Sequence, residues 1–174
     1  MEESAVGADK LEEKFRSVVE AVSANLKPLG FRKQGQRFRR TTDGNVAIVE
    51  FQRSTTNNDN LIKFTLNLGV VSGRLFHAND PERDLKNVGA SEAHLRERIG
   101  FFLQPPTDHW WALTVGTDAQ IVADEVATIV VDAAVPHLNE YSTDESLLAL
   151  WRTGRSPGLT EGQRQRFMTL LASA

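Results

Sequence analysis

Arg37, Arg39, Glu50, Gln52, Lys63, Thr65, Asn67, Arg96, Arg98 and Trp110 fall at alternate positions of runs whose intervening residues are mostly apolar. Successive side chains of a strand point to opposite faces, so these residues share one face wherever the apolar set turns inward. Guanidinium forks beside neutral amides and an indole suit a planar anion, a phosphate or an acidic peptide, because each fork donates two parallel hydrogen bonds. From this set Arg37, Arg39, Glu50, Gln52, Lys63, Asn67, Arg98 and Trp110 are the candidate ligand-binding residues. The same pattern has a plainer meaning, since antiparallel sheets commonly expose one solvated face whose cross-strand ion pairs add only small increments of stability.

Other chemistries find less support. His77, His94, His109 and His137 are widely separated, and none has the four-residue spacing that sets two imidazoles on one helix face around zinc. Asp108 could orient His109, but no serine lies in a G-x-S-x-G turn to be activated by it. His137, at the end of a long helical segment, suits a cation stabilised by the helix dipole. Asp80, Glu82 and Asp84 alternate as in a calcium loop without its glycine and terminal glutamate, so a solvated acidic loop is expected. Gly69 and Gly73 lack a phosphate-loop motif and suit a strand end or bulge. With Cys 0 in the composition, disulfides, zinc ribbons, iron–sulfur clusters and thiol nucleophiles are excluded. No metal and no cofactor is expected, and catalytic residues cannot be named.

Positioning such a face requires strands in the middle of the chain. Leu11, Phe15, Val18, Val19, Val22 and Leu26 form a helical stripe, predicting a helix over about Asp9 to Lys27 that stops at Pro28 and Gly30, with residues 1–8 disordered. Asp43-Gly44 predicts a hairpin turn, followed by a strand with Ala47, Val49 and Phe51 on one face and Ile48, Glu50 and Gln52 on the other. The run from Leu61 to Val71 has the clearest alternation. Ser72 to Ala93, rich in Gly, Pro and Asn, reads as a long connection with one short strand near Leu75. Strands follow around Leu95–Leu103 and Trp110–Val115, where Trp111, Leu113 and Val115 share a face and Trp110 points outward. Thr117 with Gln120 predicts a capped helix to about Asn139, Ser142 with Glu145 a second through Trp151, and Thr160 with Gln163 a last one. Strands grouped centrally with helices at the ends predict one α+β domain over residues 1–174. Its antiparallel sheet of about five strands is packed on one face by the N-terminal helix and a C-terminal helical extension, residues 140–174.

Leu29-Gly30-Phe31-Arg32-Lys33, Phe38-Arg39-Arg40, Val49 to Ser54, Phe64 to Val70, Arg98-Ile99-Gly100 and Trp110-Trp111 together resemble domain of unknown function 4304, from about Leu11 to Leu138. The resemblance implies a bacterial origin and a shared fold but no reaction.

The chain's 40% hydrophobic and 25% charged residues are ordinary for a globular protein, and a formal charge of −3 gives no general pull toward nucleic acid or anionic membrane. The acidic start lacks a signal-peptide pattern and no apolar run spans a membrane, so a cytoplasmic location is expected. The leading expectation is a non-enzymatic binding or interaction module that meets a protein partner or small anionic ligand at the polar sheet face or the Ser72–Ala93 connection. A first alternative is an enzyme whose pocket gathers Glu50, Arg98 and His109. A second is a weak nucleic-acid binder using Arg32, Lys33, Arg37, Arg39, Arg40, Arg96 and Arg98.

Overall fold

Alternation between apolar and polar residues builds a sheet with two distinct sides, and the computed structural model, which describes residues 2–173, resolves it into six antiparallel strands. They are β1 (Arg32–Gln34), β2 (Arg37–Thr42), β3 (Asn45–Arg53), β4 (Ile62–Val71), β5 (Leu95–Arg98) and β6 (Trp111–Leu113). The order is β1-β2-β3-β4-β5, and β6 pairs with β4 as well, beside Ile62 to Phe64. The β2–β3 hairpin turns where expected, Asp43 and Gly44 both having positive φ (49° and 82°), which matches the twist of the strands it joins. The α+β class holds, with one strand more than expected, the short β1, which pairs with β2; β5 and β6 follow one another along the same edge of β4.

Helix α1 (Glu2–Leu26) buries Leu11, Phe15, Val18, Val19, Val22 and Leu26 against the sheet. Its bounds reach back past the expected start at Asp9, and Met1 lies outside the described residues. Phe15, Phe51, Phe64 and Trp111 meet edge-on or stacked beneath it, Phe64 and Trp111 with centroids 5.6 Å apart. Each such side chain contributes about 1.5–3 kcal/mol by burial.

The segment after β4 holds the largest departure from expectation. Leu75 lies in a helix, α2 (Gly73–Asn79), whose N-cap Ser72 accepts a hydrogen bond from Leu75 N–H, so no strand forms there. Gly73 therefore opens a helix rather than ending a strand, and a Cβ on it would collide with the Gly44 carbonyl. Two 3-10 turns, Leu85–Asn87 and Ala90–Glu92, then carry the chain over the outer face of the sheet. Phe76, Val88, Ala90 and Ala93 cover Val46, Ile48 and Val71 there, making a second small core. Residues 73–93 are thus a strap across a face expected to be solvated.

Toward the C-terminus, α3 (Ala119–Ile129) is capped by Asp118, whose carboxylate accepts from Gln120 and Ile121 N–H. Thr117 instead accepts from Thr114 N–H in the preceding turn, and Lys14 Nζ donates to the Thr114, Val115 and Thr117 carbonyls. Val115 is 58% exposed because β6 ends at Leu113, so it does not share the buried face of Trp111 and Leu113. The expected continuous helix widens into a π turn at Val130–Ala134 before α4 (Val135–Glu140), which contains Pro136. Proline lacks an N–H and crowds the preceding turn, and a π turn relieves both. Helix α5 (Asp144–Arg152) is capped by Thr143 with Ser146 rather than Ser142 with Glu145, and α6 (Glu161–Ala172) by Thr160 with Gln163 as expected. Leu147, Leu150, Trp151 and Leu171 from these last helices lie in the same buried cluster as Leu11 and Phe64. Among the described residues no helix is long and apolar enough to cross a membrane.

Candidate binding face

The strand register sets four of the candidate residues in one row. Arg37 pairs with Glu50, Glu50 with Asn67, and Asn67 with Arg98, across β2, β3, β4 and β5. Phe64 and Leu66, on the other side, are fully buried, so the two-sided sorting is real. What differs is the use of the row, because the strap divides it.

At one end the charges bind the strap itself. Arg37 donates to the Glu50 carboxylate (2.7 and 3.1 Å) and to the Asn87 carbonyl (3.3 Å), while Glu50 Oε2 accepts from Ala90 N–H at 2.8 Å. Arg39 donates to the Leu85 and Lys86 carbonyls. Burial, and then the neighbouring Arg37 charge, hold the Arg39 guanidinium below its ordinary pKa. These three residues satisfy backbone groups of a covering segment that lacks ladder partners, a structural task.

At the other end the row remains accessible. Arg98 donates to Asp108 Oδ1 at 2.6 Å and reaches Gln52 Oε1 at 3.4 Å, and its guanidinium lies 5.3 Å from the Trp110 ring centroid. Asn67 Nδ2 donates to the same Gln52 oxygen at 2.7 Å, and Trp110 Nε1 to Asp108 Oδ2 at 3.2 Å. The Arg98 guanidinium, then the indole N–H, hold the Asp108 carboxyl below the usual carboxylate range. Beside them lies a concavity of about 620 Å³ lined by Gln52, Asn67, Arg96, Arg98, Ser91 and Gly158, among others. Glu97 also borders it, and burial raises its carboxyl pKa. Lys63 is exposed near the far end of β4 and does not line this concavity, and Thr65 is fully buried.

Asp108 is the residue that alternation alone did not bring to this group. Its proximity to Arg98 comes from the loop after the Ile99–Phe102 turn, and its position two residues before Trp110 is the sequence signal that could have found it. The residues proposed for an enzyme pocket are not assembled. Glu50 is held by Arg37 and the strap, and His109 packs edge-on against inward-facing Trp111 (4.5 Å), while the concavity beside Arg98 is lined by neither. The basic residues also separate. Arg32, Lys33, Arg39 and Arg40 line a hollow of about 650 Å³ at the β1–β2 edge, whereas Arg96 and Arg98 lie on β5. Several are already engaged: Lys33 pairs with Glu20, and Arg40 bonds Asn139 and lies over the Phe31 ring.

His137 has a structural place. His137 is enclosed by Phe102 and Tyr141, and burial lowers its pKa, so its neutral form is favoured rather than the dipole-stabilised cation expected. Asp84 caps the Leu85–Asn87 turn, which gives the acidic loop a local role.

An antiparallel sheet backed by helices on one side and strapped on the other, with a half-open polar row, defines a small α+β domain. Residues 22–140, more than half of the chain, match the family described as a domain of unknown function (DUF4304), and the chain belongs to that family. The resemblance read from about Leu11 to Leu138 is thereby borne out, the match beginning at Val22, within α1, and ending before α5 and α6. No curated protein and no solved structure matches the chain.

Proposed function

We propose that this chain is a bacterial, cytoplasmic, non-enzymatic binding module that takes an anionic group at the open end of its outer sheet face. The observation that carries the reading is Arg98: a guanidinium on a rigid strand, flanked by an indole and two amides, facing a 620 Å³ concavity and engaged by one accessible carboxylate, Asp108. An incoming carboxylate or phosphate would exchange with Asp108, which is 62% exposed at its side chain and therefore cheap to resolvate. Gln52 and Asn67 supply neutral hydrogen-bonding groups beside it, and Trp110 offers a flat apolar contact. Titration with inorganic phosphate and with a poly-glutamate peptide, read by NMR at the Trp110 indole N–H, tests the reading. A saturable shift is expected with at least one probe, weakened about tenfold or more by Arg98→Ala, as for loss of a charge-assisted hydrogen bond. A folded wild-type protein that shows no saturable shift with either probe would sink it.

A further inference from the structure

A separate cleft lies where the strap meets the last helix. It encloses about 320 Å³ and is lined by Leu75, Phe76, Leu159, Phe167 and Leu170 as an apolar floor, with His94, Arg96 and Arg166 among its polar groups. Its volume is at the low end of the roughly 300–1,000 Å³ found for ligand pockets, which restricts it to a small guest. One wall, from α2 to His94, falls within the family match; the other, α6, falls outside it.

His94 is the group that asks for a ligand. It is 6% exposed, and its Nδ1 accepts a hydrogen bond from Ser72 N–H at 3.0 Å. A ring nitrogen that accepts from a backbone N–H carries no proton, so the neutral imidazole must hold its hydrogen on Nε2. Among the described residues Nε2 has no hydrogen-bond partner, while the ring stands edge-on to Phe167 (4.9 Å) in the cleft wall. Because His94 lines the cleft, this N–H is free to donate to the acceptor of a guest held there.

The charges around the cleft fix the sign of that acceptor. Arg83 forms an ion pair with Glu92 and has Asp80 beside it. Arg96 donates to the Ser91 and Gly158 carbonyls, which leave its charge uncompensated, and Arg166 reaches only Asn79 Oδ1, at 3.5 Å. Neither has a carboxylate partner among the described residues.

We propose that the cleft between α2 and α6 binds a small monocarboxylate with a compact apolar body, its carboxylate accepting from His94 Nε2–H and facing Arg166 while its body lies against Leu75, Phe76 and Phe167. The site is distinct from the Arg98 concavity and does not depend on it. Benzoate, its neutral analogue benzamide and inorganic phosphate serve as probes, titrated into the whole chain and followed by NMR at the Phe76, His94 and Phe167 amides and the His94 imidazole. Benzoate is expected to give saturable shifts with a Kd on the order of 1 mM or tighter, and benzamide and phosphate to bind about tenfold or more weakly. His94→Asn keeps an acceptor for Ser72 N–H and loses the inward donor; it should weaken benzoate by a similar factor. Arg166→Glu, at an exposed helix position that does not risk the fold, should weaken it too, while Arg98→Ala should leave it unchanged. The proposal is overturned if benzoate gives no saturable shift, if benzamide or phosphate matches it, or if binding survives Arg166→Glu undiminished.

Discussion

At the scale of single residues, His94 shows how burial converts a titratable group into a fixed neutral donor. Burial pushes its pKa down from 6.5 to about 4, with Asp144 opposing and Arg96 assisting the shift. The unfolded chain therefore binds more protons than the folded one between those values. The stability contributed by neutral His94 is fully present above pH 6.5 and is lost as pH falls toward 4, at most about 3 kcal/mol for a shift of this size. His137, shifted in the same direction by burial, adds to the slope. Urea unfolding at pH 7, 5.5 and 4.5 should show a steeper loss for the native chain than for His94→Asn; equal slopes would mean that His94 titrates normally. Nothing in the spacing of the histidines reveals this, because the ring packed against His94 is that of Phe167, more than seventy positions away.

Among the elements, the strap decides which part of the outer face can meet a partner. Its fastening is mostly polar: Arg37, Arg39 and Glu50 hold backbone groups of residues 85–90. Arg37→Ala should cost about 1–2 kcal/mol, discounted because both partners of the Arg37–Glu50 pair retain a quarter of their exposure. It should also speed amide hydrogen exchange at 85–93 before it affects β3 and β4, and unchanged exchange in that segment would show that apolar contacts alone hold it. Alternation put Arg37, Glu50, Asn67 and Arg98 on one face, where the strand register sets them in a row, but it left the strap unseen, since residues 73–93 carry no helical or strand period. The available clue was Ile48: an apolar residue at an outward strand position, flanked by Val46 and Val71 on the same side, asks for a cover. The caps fell one residue from expectation at Asp118 and Thr143 because neighbouring Ser, Thr and Asp residues compete for the same role.

Across the whole molecule, Asn45 links parts that the sequence separates widely. Its Oδ1 accepts from Gly73 N–H, and its Nδ2 donates to the Ser142 carbonyl and Asp144 Oδ1, joining the β2–β3 hairpin, the start of α2 and the start of α5. It is 5% exposed, so Asn45→Ala leaves buried groups unpaired and should cost about 2–3 kcal/mol. Because Trp151 and Leu171 share one core with the sheet, thermal unfolding followed at a sheet residue and at α6 should remain coincident in that variant. Separate transitions would show that the last helices form their own unit. The α+β class was legible because periodicity is local, whereas these ties join residues whose proximity no local pattern records. A final consequence follows from Arg96, whose side chain borders both the Arg98 concavity and the α2–α6 cleft. Ser91 lines both as well, so a guest that displaces either shared residue from one room alters the other. Thermodynamic reciprocity requires that any such influence on affinity, of either sign, be returned in equal measure.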